Sequence, residues 1–128
     1  MSKSSHLETK IYESLIKGFD FEESGEIEKS IEAFTVAAKL GSVDALSKLG
    51  TILDDVLKPP QPKQAVYWYK RAVRAGSSSC AWNLAMHYNG LGNRRWYLYW
   101  LRIAARMGEA DAIEELKTGK WWSKRNAR

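Results

Sequence analysis

Three stretches of the 128-residue chain, IEKSIEAFTVAAKLG (27–41), PKQAVYWYKRAVRAG (62–76) and RRWYLYWLRIAARMG (94–108), superpose when each is read back from its terminal glycine. In that register Ile31, Val66 and Leu98 coincide, as do Phe34, Tyr69 and Leu101, and then Ala37, Ala72 and Ala104. Apolar residues at i, i+3 and i+6 lie on one side of a helix with a 3.6-residue turn, so each stretch reads as one amphipathic helix. Gly41, Gly76 and Gly108 suit the left-handed residue that closes a helix. Lys39, Arg74 and Arg106 suit the negative end of its dipole.

The residues after each glycine repeat as well. Ala45, Cys80 and Ala112 align, and Leu49, Leu84 and Leu116 follow four residues later, which predicts a second helix type alternating with the first. Ser42 and Ser77 to Ser79 fit N-caps; Pro59 and Pro60 interrupt one helix, and Pro62 fits the first turn of the next. Seven helices are predicted, over 7–24, 26–40, 43–57, 62–75, 78–89, 94–107 and 110–118, with no strand. The glycines are 35 and 32 residues apart, close to the ~34-residue period of helix-turn-helix solenoids. The expectation is an all-α fold in a single domain over 1–128, with helix pairs at 7–40, 43–75 and 78–107 and a cap at 110–122. With 45% hydrophobic residues, such a chain can bury a core without a metal or disulfide, and the lone Cys80 cannot bridge within the chain.

The stretch from Ala45 to Gly76 holds Ala45, Leu49-Gly50, Lys63, Ala65, Trp68-Tyr69, Ala72 and Gly76 in an order that resembles the Sel1-like repeats, relatives of the tetratricopeptide repeats. The following unit keeps Ala81, Leu84-Ala85, Tyr88, Gly90, Gly92, Trp100-Leu101, Ala104-Ala105 and Gly108, but is three residues shorter and has Tyr97 where a small residue is usual. The first unit, with Gly18, Phe21, Gly25, Phe34 and Ala37, is similar to a plain tetratricopeptide repeat. The resemblance covers most of 12–117. It implies a right-handed α-α superhelix, a short solenoid of about three helix pairs plus a C-terminal capping helix. The first helix of each pair then lines the concave surface and the second forms the outer one.

That assignment sorts the charges. The chain carries +5 overall, which alone points to nucleic acid or an anionic membrane. The inner helices, however, are acidic: net −3 over 7–24, −2 over 43–57, neutral over 78–89 and −3 over 109–118. The outer helices 62–75 and 94–107 and the tail 120–128 each carry four basic groups without an acid, and only 26–40 is slightly acidic. Candidate inner-face contacts are Tyr12, Phe19, Glu22 and Glu23 on the first helix, joined by Leu15 and Ile16; Asp44, Lys48, Thr51, Asp54 and Asp55; Trp82, Asn83 and Met86; and Asp111, Glu114 and Glu115. An apolar centre rimmed by carboxylates selects a cationic protein and repels phosphates.

The expected function is therefore non-catalytic binding of a basic protein or peptide. For a small repeat protein the resemblance suggests an immunity protein (antitoxin) that covers a toxin, or an adaptor or chaperone for a secretion or regulatory protein. No Ser/His/Asp or Cys/His constellation, metal-ligand spacing or phosphate-cradling loop is legible, so neither catalysis nor a cofactor is expected. Cys80 takes an alanine slot and reads as a packing residue, as do Trp68 and Trp100, while His87, without ionisable neighbours on its helix, reads as a solvated or core histidine. The alternative is nucleic-acid binding by the basic outer helices and tail, with Tyr67, Trp96 and Tyr99 available to stack on bases. Trp121 and Trp122 either cap the stack or bind something. With no export signal or spanning run in the sequence, the expected location is the cytoplasm.

Overall fold

The computed structural model describes residues 3–126, and these hold helices with no strand among them. Eight α-helices are present: α1 (Lys3–Glu23), α2 (Ile27–Lys39), α3 (Val43–Thr51), α4 (Pro62–Arg74), α5 (Ser78–Gly90), α6 (Arg94–Arg106), α7 (Ala110–Thr118) and α8 (Lys120–Asn126). The caps follow the sequence. The Ser42 hydroxyl accepts from Ala45 N–H and the Ser77 hydroxyl from Cys80 N–H, both at 3.2 Å, and Asn93 does the same for Trp96 at the start of α6. Gly41, Gly76 and Gly108 have φ near +100° (101°, 107° and 93°), where a side chain would be strained.

The helix expected over 43–57 stays α-helical only to Thr51. It then widens into a π-helical turn, Ile52–Val56, closed by Leu57 N–H to Ile52 C=O at 2.8 Å. Pro59 disfavours helical backbone at Lys58, and the ladder ends just before it.

The chain divides into two compact units, one ending at Ala75 and the other starting at Gly76. In the first, α1 packs on α2, α2 on α3, and α3 on α4. Phe34, Leu49, Ile52, Ala65 and Tyr69 are buried at its core. Two helix pairs close around a glycine and an aromatic ring. A Cβ placed on Gly18 would stand 2.5 Å from the Phe34 ring, and one on Gly50 2.4 Å from the Tyr69 ring. Both lie far inside van der Waals contact, so the missing side chain is what lets the helices approach.

In the second unit α5 packs on α6, α6 on α7, and α8 returns to α5. Cys80, Leu84, Ala85, Tyr97, Trp100, Leu101 and Ala112 form its core. Burying side chains of the Leu84 or Leu101 kind is worth about 1.5–3 kcal/mol each. Leu116 breaks the expected register. Although it aligns with Leu49 and Leu84, it is 43% exposed, and Glu115 is buried instead. The tail also holds a further helix, where the sequence reading ended at a cap near 122. The reason is local. Gly119 turns the chain with φ +63°, and the Glu115 carboxylate accepts Trp121 N–H at 2.8 Å and Trp122 N–H at 3.0 Å, satisfying two donors of the first turn of α8.

Candidate functional site

On α1 the spacing that buries Gly18 leaves a second stripe outside. Tyr12, Ile16 and Phe19, at i, i+4 and i+7, are 65%, 42% and 46% exposed. Phe19 still touches Phe34 edge-on, with ring centroids 5.1 Å apart. Lys48 on α3 ties the two helices together: its Nζ lies 2.8 Å from Glu22 Oε1 and 5.8 Å from the centre of the Phe19 ring. The second oxygen of Glu22 is buried without a hydrogen-bond partner among the described residues. Thr51 is half-buried beside the stripe, its hydroxyl bonded to Lys48 C=O. Glu23, Asp44 and Asp55 are exposed. Asp54 is not a rim carboxylate: it is half-buried and accepts the Tyr69 hydroxyl at 3.4 Å. Leu15 likewise turns partly inward. In the first unit the exposed stripe on α1 thus adjoins the Lys48–Glu22 ion pair through Phe19.

The second unit is arranged differently. Trp82, Asn83 and Met86 on α5 are half-buried, and α8 lies against this helix. Trp82 meets Trp121 edge-on at 6.2 Å, Asn89 Nδ2 donates to Trp121 C=O at 3.4 Å, and Asn126 Nδ2 donates to Asn89 Oδ1 at 2.8 Å. What stays open is a cleft of about 490 Å³ lined by Met86, Asn89, Gly90, Trp121, Lys124 and Arg125. Asp111 and Glu114 on α7 are exposed.

Glu115, expected on the exposed acidic face, is instead the buried anchor of α8, and it also accepts the Tyr97 hydroxyl. Its burial is tolerated because both carboxylate oxygens receive donors. Burial, and then the Glu115 carboxylate, push the Tyr97 phenol well above its ordinary value. The partnership escapes a sequence reading because Glu115 sits in an acidic run where an exposed position looks equally good. The departure of Tyr97 from the repeat pattern was its one trace. Nothing in the sequence marked Asn89 or Asn126.

On the solvent sides of α4 and α6, Tyr67 is 55% and Tyr99 47% exposed. Arg71 lies over the Tyr67 and Trp68 rings at 6.0 and 5.3 Å, and Arg95 over Trp96 at 5.8 Å. A cleft of about 450 Å³ on α6 is lined by Arg95, Trp96, Tyr99, Arg102 and Arg106. Cys80 is buried among core residues. Among the described residues no three His, Cys, Asp or Glu side chains group to hold a metal ion, and no helix is long and apolar enough to cross a membrane. Compared with family models, curated proteins and solved structures, the chain matches none.

Proposed function

We propose that the chain is a non-catalytic protein-binding module of the Sel1-like kind, and that it takes a basic partner on the outward faces of α1 and α3. The observation that carries this reading is the stripe of Tyr12, Ile16 and Phe19. The opposite side of α1 already packs on α2, and although Phe19 meets Phe34 with one edge, all three side chains keep much of their surface in water, a cost that a partner recovers. The exposed carboxylates Glu23, Asp44 and Asp55 of the same helices and of the turn after α3 repel phosphates and favour a cationic protein surface. In a right-handed superhelix of that family, α1 and α3 line the concave side. The same chemistry serves an immunity protein that covers a cationic toxin and an adaptor or chaperone that holds a regulatory or secretion partner.

The test is affinity capture from the native cell, comparing the natural chain with Tyr12→Ala/Phe19→Ala after confirming that both melt at the same temperature. A partner held by hot-spot contacts should lose about 30-fold or more in affinity, the effect of ~2 kcal/mol. Equal recovery of every captured protein by both forms removes the proposal.

A further inference from the structure

The α6 face repeats a pattern found on α4. Arg95, Tyr99, Arg102 and Arg106 follow the spacing i, i+4, i+7 and i+11, and Lys63, Tyr67, Lys70 and Arg74 occupy the same positions counted back from Gly108 and Gly76. Buried positions coincide in a repeat because packing demands it, as with Tyr69 and Leu101. Exposed positions are under no such constraint, yet here base, aromatic, base, base recurs in register, with only Lys70 of the eight half-buried. It is not a property of the repeat as such, since the equivalent residues of α2 are Glu28, Glu32, Thr35 and Lys39.

On α6 the four side chains are exposed, and Trp96 joins them, its ring edge-on to Tyr99 at 5.2 Å. Neither α4 nor α6 contains an acidic residue. Among the described residues none of the six cations forms an ion pair. These charges are not spent on the fold.

We infer that the solvent face of α6 is a docking strip for single-stranded nucleic acid, and that α4 carries a second copy of it. The arginines meet phosphates while Tyr99 and Trp96 stack on unpaired bases. From Arg95 to Arg106 the helix rises about 16 Å, the length of roughly five stacked nucleotides at ~3.4 Å each. A membrane surface fits less well, because an interfacial helix sinks a broad apolar face into the lipid. The apolar faces of α4 and α6, with Ala65, Tyr69, Tyr97 and Leu101, are already buried in their units. This strip is independent of the stripe on α1.

Fluorescence anisotropy of a labelled oligothymidylate and an oligouridylate, titrated at several salt concentrations, tests it. The natural chain should bind at low salt. Arg95→Ala/Arg102→Ala/Arg106→Ala should reduce the slope of log affinity against log salt by about 2, at ~0.7 for each single-strand phosphate no longer neutralised. Tyr99→Leu keeps every charge and should weaken binding about 5- to 100-fold, the effect of removing one base stack. No binding of either oligonucleotide at low salt overturns the inference. So does unchanged affinity in Tyr99→Leu, which would reduce the strip to a bare charge, and so does binding to phosphatidylserine vesicles without binding to the oligonucleotides.

Discussion

Glu115 shows how much one side chain can decide. Its carboxylate gathers the Tyr97 hydroxyl and the Trp121 and Trp122 amides of α8, so it joins α6, α7 and the tail in one polar cluster. The Tyr97 phenol is raised by burial and by the adjoining carboxylate. The folded form therefore holds the proton more tightly than the unfolded chain does. This contribution is complete below the ordinary tyrosine value of about 10 and is lost as the pH climbs above it, because the unfolded state gives up its proton first. Melting temperatures taken across the alkaline range should fall more steeply for the natural chain than for Tyr97→Phe, although the variant is the less stable at neutral pH. Parallel curves would mean that Tyr97 ionises equally in both states.

Among the elements, the helix pairs repeat one solution with exchanged parts. Gly18 faces Phe34 and Gly50 faces Tyr69; at the corresponding positions of the third pair stand Ala85 and Leu101. A larger residue on the first helix thus goes with a smaller one on the second. Gly50→Ala should destabilise the first unit by about 1–3 kcal/mol through overpacking, read from urea unfolding. In the double variant with Tyr69→Leu, the combined loss should be smaller than the sum of the single losses. Strict additivity would show that the glycine is not there for the ring. The helices themselves were legible because their apolar period and terminal glycines agree. The π-helical turn was not, because Pro59 signals where a helix must end and not how its last turn is hydrogen-bonded. Nor was α8, whose seven residues carry no periodic signal; what holds them in place is a carboxylate five residues upstream and an asparagine on another helix. The same blindness affected the candidate site. Tyr12 and Phe19 follow from spacing alone, whereas Asp54 and Glu115 look like rim acids until Tyr69 and Tyr97 are placed against them.

For the molecule as a whole, a net +5 is the difference between two unlike sets of surfaces. The acids gather on α1, α7 and the π-helical turn after α3, and the bases on α4, α6 and α8, so total charge misleads about either set taken singly. The tail contributes to both the charge and the fold. Ending the chain at Thr118 removes Trp121 from Trp82 and Asn126 from Asn89, and the amides of α5 should then exchange with solvent markedly faster while those of α1 to α3 keep their rates. Unaltered exchange in α5 would show that α8 adds nothing to its protection.

That arrangement has a consequence for recognition. Because α8 follows α7 with only Gly119 between them, its affinity for α5 is multiplied by a local concentration that short tethers bring to the millimolar range. Any outside ligand for Trp82 and Met86 must therefore outcompete a resident one, and its measured affinity is lowered by the fraction of time the tail stays docked.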